Sequence, residues 1–196
     1  MANIFPSPYE SEGGCSNEIP LVIGTDQTFT ADQAVAPDGN TTGDELTCST
    51  TDTDFRSSTL NQSSGISADT LYYYSVFVKA DGSGSFDWVA IYGGTSQYGI
   101  YVDLTDGSVG SFVTGEPNDY GVVDYGNGWY RIWIREFSSS GSVFALRFFI
   151  CEQDASRTTS GIVGDVLYTW GWFLDTVNYT DWDQSPVPIL TIHYTE

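Results

Sequence analysis

The stretch Gly121–Phe137, GVVDYGNGWYRIWIREF, carries the pattern that decides the fold class. The triplet Gly126-Asn127-Gly128 is a turn, and the residues after it alternate cleanly. Tyr130, Ile132 and Ile134 fall on one side, and Trp129, Arg131, Trp133, Arg135 and Phe137 on the other. Successive side chains of a strand point to opposite faces, so this segment is a strand with an apolar face and a face of Trp and Arg. Two of the six basic residues of the chain lie on that second face. Arginines in mid-strand, flanked by indoles, need partners: internal carboxylates, a ligand or a neighbouring subunit.

The same reading extends outward. Leu71–Ala80 (LYYYSVFVKA) is a dense run of β-formers without helical period, and Asp81-Gly82-Ser83-Gly84 closes it with a turn. Phe86–Tyr92, Tyr98–Leu104 and Ser108–Thr114 read as strands, the last two joined by the hairpin turn Thr105-Asp106-Gly107. Gly115–Tyr120 reads as a loop, and Ser138–Gly141 as a turn. Val143–Glu152 is a long strand, apolar on both faces around Phe148 and Phe149, followed by a polar loop over Gln153–Gly164. Val166–Leu174 (VLYTWGWFL) is strongly strand-like, and in a regular strand Trp170 and Trp172 share a face suited to core packing. Upstream, Glu18–Gly24, Gln27–Ala36, Glu45–Thr50 and Asp54–Gln62 are shorter strand candidates, with Ala36-Pro37-Asp38-Gly39 a turn. After an Asp181–Pro188 loop, Ile189–Tyr194 reads as a last strand.

About ten to twelve short strands with frequent turns and no significant helix predict an all-β protein. The expected architecture is an antiparallel β-sandwich or jelly roll, two sheets facing each other about 10 Å apart. At 196 residues the chain is read as an extended arm over residues 1–20, rich in Pro, Gly, Ser and acids, and a single sandwich domain over residues 21–196.

The formal net charge of −20 disfavours phosphate backbones and anionic membranes, so neither nucleic acid nor membrane is an expected partner. Cys15, Cys48 and Cys151 are an odd, widely spaced set without CxxC, which fits folding in a reducing cytoplasm and leaves one disulfide pair open. The N-terminus lacks the basic and apolar regions of a signal peptide, and no apolar run approaches the roughly 18 residues of a membrane span.

Five phrases in order resemble jelly-roll domains of the carbohydrate-binding-module type found in tailed-phage virion proteins. They are Ala36-Pro37-Asp38-Gly39 with Asp44-Glu45-Leu46; Leu71–Ala80; Tyr101-Val102-Asp103-Leu104 with Asp106-Gly107-Ser108-Val109; Gly126–Arg131; and Tyr168–Leu174. The resemblance spans roughly residues 28–190, and its specificity lies in the ordered set. It implies a concanavalin-like or galactose-binding-like sandwich in a virion. The chain closes with Pro186-Val187-Pro188-Ile189-Leu190 where the family commonly has an aromatic-rich ending.

Trp129, Arg131, Trp133 and Arg135 are the candidate ligand or subunit-interface residues. Indoles stack on sugar C–H patches and guanidinium groups bind hydroxyls, but Trp and Arg are equally favoured at protein hot spots, and an internal ion pair would also satisfy Arg131. Asp103 with Asp106, and Asp181 with Asp183, are hard oxygen donors, but lack the spacing of a calcium loop. No metal, cofactor or catalytic residue is assigned, because no phosphate loop, dinucleotide fingerprint or zinc cluster occurs. His193 is the only histidine, and no acid pair is marked out for glycoside hydrolysis, so the chain is read as no enzyme.

Two function classes follow. The first is a virion structural protein, a capsid decoration or cement protein acting as a homotrimer on the major capsid protein, with its arm latching neighbours. The alternative is a carbohydrate-binding module of a tail fibre or tail-associated protein that reads host-surface glycan. Either places the protein in the virion after synthesis in the host cytoplasm.

Overall fold

The computed structural model describes residues 21–23, 26–50, 54–55, 57–62, 67–83, 86–93, 97–138, 144–159 and 162–175. The expected arm, the final strand Ile189–Tyr194 and the residues Cys15, Asp181, Asp183 and His193 lie outside them. The described chain forms fourteen strands and no helix. In order these are β1 (Leu21–Ile23), β2 (Gln27–Val35), β3 (Thr41–Cys48), β4 (Asp54–Phe55), β5 (Ser57–Gln62), β6 (Thr70–Ala80) and β7 (Trp88–Gly93). There follow β8 (Tyr98–Asp103), β9 (Val109–Val113), β10 (Asp119–Asp124), β11 (Tyr130–Ser138), β12 (Phe144–Cys151), β13 (Thr158–Thr159) and β14 (Val166–Asp175).

Twelve of them make two six-stranded antiparallel sheets. The first runs β1-β5-β12-β7-β8-β9 and the second β10-β11-β6-β14-β3-β2, while β13 and β4 form a separate two-stranded ribbon. The all-β sandwich expected from the sequence is therefore the fold. Its main core lies between the sheets. Tyr72, Tyr74, Val76 and Val78 of β6 and Ile132 and Ile134 of β11 face Val89 and Ile91 of β7, Ile100 and Val102 of β8, and Phe148 and Ile150 of β12. Each such side chain contributes about 1.5–3 kcal/mol by leaving water.

The alternation predicted for Tyr130, Ile132 and Ile134 holds, and it fixes which face of β11 turns outward. β6 is different: residues 72–78 are all buried. It lies between β11 and β14, so its inner residues join the core while Tyr73 and Phe77 are covered on the outside. That double cover is why its sequence reads as an unbroken apolar run. One element escaped the sequence reading. β10 pairs with β11 from Asp119↔Arg135 to Asp124↔Tyr130, so the segment before the Gly126–Gly128 turn is a strand. Its start in the expected Gly115–Tyr120 loop, and its two glycine-flanked valines, hid it.

Two smaller apolar bodies sit on the outer faces. On the second sheet Ala36, Phe77, Trp129 and Trp170 cluster, and on the first Ala90, Tyr92, Tyr101, Val113, Phe149 and Cys151. Cys48 and Cys151 are both free and buried in different bodies, so no bridge joins them. Among the described residues no helix is long and apolar enough to cross a membrane.

Candidate functional site

The face predicted as a site divides into a buried half and an accessible half. The Gly126–Gly128 turn takes positive φ at all three residues (76°, 54° and 80°), and Trp129 N–H donates to Gly126 O at 3.0 Å. This turn sends the Trp129 ring under the β2–β3 connection, where Nε1–H donates to Val35 O at 2.9 Å. Trp129 is 2% exposed, which corrects its place among the contact residues: it packs the outer apolar body. Arg131, also 2% exposed, is a second correction. Its guanidinium lies 5.9 Å from the Tyr73 ring centre and 5.7 Å from that of Phe77, and Nη2–H donates to Ser75 Oγ at 3.3 Å. Its neighbours are rings and a hydroxyl of β6, so cation–π attraction holds it in place.

Trp133 and Arg135 are only partly buried. Trp133 stacks on Tyr73 with centroids 5.4 Å apart and planes at 23°. The indole lies over Gly121, where an added Cβ would stand 2.7 Å from Nε1, so the strand pair needs glycine there. Arg135 pairs with Asp119 at 3.6 Å, an exposed ion pair of small energetic weight. Phe137, next on this face, is 45% exposed.

The expectation that Trp170 and Trp172 share a face is wrong. The register of β14 against β6 slips between Trp170↔Phe77 and Phe173↔Ser75, so two residues oppose one. Gly171 takes φ 60°, which makes this bulge accessible. Trp170 therefore packs edge-on to Phe77 on the outer face, while Trp172 turns inward against Phe148. Asp103 and Asp106 are turn formers. Asp103 Oδ1 accepts from Thr105 N–H and Oγ1–H at 2.8 and 2.6 Å, and Asp106 Oδ1 accepts from Ser108 N–H at 2.8 Å. Among the described residues no group of His, Cys, Asp and Glu is placed to hold a metal.

The groove with the best chemistry lies elsewhere, on the outer face of the first sheet. Ile100 and Val102 point into the core, so Tyr101 between them points out and forms part of its floor. The segment after β12 folds back over this face. Asp154 anchors it, accepting from Ser111 N–H and Oγ–H at 2.8 Å each, and the missing side chain of Gly110 lets the carboxylate approach. Between that segment and β9 lies a groove of about 390 Å³. Its walls carry Phe112, 41% exposed, with Thr114, Ser156, Arg157 and Thr158. Two wall residues are backbone outliers: Thr114 at φ 59° and Ala155 at φ 57°. Left-handed non-glycine residues cost about 1–3 kcal/mol each and concentrate at functional sites.

Beneath the groove two arginines meet. Arg147 Nη1–H and Arg157 Nη1–H both donate to the Tyr92 hydroxyl oxygen, at 3.4 and 3.3 Å. Arg157 also lies 5.7 Å from the ring centres of Tyr92 and Phe149, which stack on each other at 5.3 Å. Burial pushes the Tyr101 phenol up to about 12, with Cys151 adding to burial and Arg157 opposing it, so it stays a neutral hydroxyl. Burial likewise pushes the Cys151 thiol up to about 12, which makes it unreactive. The sequence reading passed over this site because its parts are distant in the chain and its wall is a polar loop. The one available signal was the apolar outer face at Phe149, which required a cover.

No family model matches the sequence, and no curated protein matches it. Several solved structures share the fold at low identity. The CBM22-1–GH10 modules of a Clostridium thermocellum endo-1,4-beta-D-xylanase, complexed with xylohexaose, are 16% identical with a TM-score of 0.44. That match covers 80% of this chain and only 26% of the xylanase chain. The CBM22-2 xylan-binding domain from Paenibacillus barcinonensis is 9% identical over 86% of this chain and 96% of its own, with a TM-score of 0.49. The enzymatically active domain of bacteriophage CBA120 tailspike protein 4 is 13% identical over 89% of this chain and 21% of its own, with a TM-score of 0.47.

Proposed function

We propose that this protein is a carbohydrate-binding module, and that its ligand lies in the groove between β9 and the 152–158 segment. The observation that carries this reading is the groove itself: aromatic rings, hydroxyls and a guanidinium converge in about 390 Å³. A sugar presents apolar C–H faces and a polar rim, and such a mixed lining suits both. The ordered sequence phrases shared with carbohydrate-binding-type domains of phage virions support the same reading, with host-surface polysaccharide as the ligand source. The test is affinity electrophoresis and calorimetry against a panel of plant and bacterial polysaccharides. Binding by the native chain, weakened about tenfold (about 1.4 kcal/mol) or more by Phe112→Ala, is the expected result. A folded protein that binds none of the panel sinks the reading.

A second reading, a subunit contact in a virion coat, draws on the opposite face. There the Tyr73–Trp133 stack, the Arg135–Asp119 pair and the exposed Phe137 form a mixed surface of the kind that interfaces use. Light scattering would find a trimer that Trp133→Ala and Phe137→Ser dissociate. A monomer at all concentrations, absent from purified heads, excludes it.

A further inference from the structure

The groove reading leaves one arrangement unexplained, the two arginines on a single phenol oxygen. The chain has six basic residues among a formal net charge of −20, and two of them meet at Tyr92. Their guanidinium groups lie close enough to repel, in a partly buried setting where charge is weakly screened. Stacked rings beneath them account for part of their holding. A mutual repulsion of this kind is relieved by an anion placed over both.

The charges around the groove have been weighed for this. The nearest carboxylate on the covering segment is Asp154, whose oxygens accept from Ser111 N–H and Oγ–H and from Ala155 N–H. It is turned toward β9 by those bonds. At the Tyr101 hydroxyl and at the Cys151 thiol, the Arg157 cation outweighs the Asp154 carboxylate. The groove floor is thus locally positive in a strongly negative protein. Thr114, Ser156 and Thr158 supply hydroxyl partners for a polyol, and Arg157 stands among them. A planar guanidinium matches the paired oxygens of a carboxylate.

We propose that the groove selects a uronic-acid-bearing glycan, with the sugar carboxylate seated on Arg157 and its ring against Phe112. This inference rests on the carbohydrate-binding reading above and narrows it to acidic glycans. A net charge of −20 disfavours indiscriminate capture of polyanions, so acid selectivity here would have to come from the local site.

The experiment uses matched polymers: polygalacturonate, alginate and hyaluronan, each beside its carboxyl-reduced neutral form, titrated calorimetrically into the full chain. The expected result is at least tenfold tighter binding to one acid polymer than to its reduced partner. In Arg157→Gln the acid-to-neutral ratio falls toward one, and Arg157→Lys, which keeps the charge, recovers part of it. Equal binding to an acid polymer and its reduced form overturns the acidic-glycan inference and leaves the carbohydrate reading standing. Binding to none of the six polymers overturns the inference, and failure across the wider panel described above overturns that reading too. An unchanged ratio in Arg157→Gln also overturns it. If Arg157→Gln fails to fold, judged by its melting profile, the ratio measured on the native chain decides the matter.

Discussion

At the scale of single residues, Asp44 is the clearest titrating group. Burial raises its carboxyl from 3.8 to about 6, the bond from Asp32 N–H opposes that rise, and the Asp32 charge adds to it. A carboxyl whose folded value lies above its unfolded one favours the protonated native state. Its contribution is therefore present at low pH and is lost as pH rises from about 4 to about 6. Discounted for partial exposure, the swing is about 1–2 kcal/mol. Asp44→Asn should thus raise stability at pH 7 by that amount and leave it nearly unchanged at pH 4, as urea unfolding at the two pH values would show. Equal effects at both would contradict the assignment. Gly171 offers a second test. An alanine there keeps φ 60° only with strain, and its Cβ would stand 3.0 Å from the Phe77 ring. Gly171→Ala should cost about 1–3 kcal/mol in the same assay. Trp129→Phe removes only the bond to Val35 O and some volume, so a loss of about 1–2 kcal/mol is expected.

At the scale of elements, strand β11 was legible because its alternation is strict and one face is wholly apolar. The four residues on its other face were legible as a set but not as a site. Burial of Trp129 and Arg131 depends on the β2–β3 connection and on rings of β6, which are remote in sequence. The bulge in β14 was hidden because a glycine between two tryptophans fits a regular strand and a slipped one equally. The groove was least legible, since its anchoring bond joins Asp154 to Ser111 across 43 positions. That anchor sets its own test. Asp154→Ala should free the 152–158 segment, raising its amide hydrogen exchange while the exchange of β6 and β11 stays slow. Groove binding should weaken in parallel. A segment that stays protected would show that the Asp154 bonds are not what holds it.

At the scale of the whole molecule, composition and turn spacing were enough for two antiparallel sheets, because strand count and alternation are local properties. The order of strands within each sheet was not readable, since pairing such as β14 with β6 and β3 joins segments far apart. Charge acts on this scale as well. With a formal net charge of −20, self-repulsion destabilises the folded state, and salt screens it. The melting temperature should therefore climb by several degrees between about 10 mM and 0.3 M sodium chloride, read by scanning calorimetry. A flat profile would place the acids too far apart to matter.

The bulge at Gly171 also makes the protein its own optical reporter. Trp170 and Trp172, two positions apart, sit on opposite sides of one sheet, and neither indole Nε1 has a hydrogen-bond partner. Each should emit at short wavelength and shift red only when its own side becomes wet. Single Trp→Phe replacements would then separate the two signals. Emission from Trp170 would follow the outer apolar body and emission from Trp172 the space between the sheets, so their midpoints in urea would tell whether the sandwich opens in one step or sheds its outer layer first.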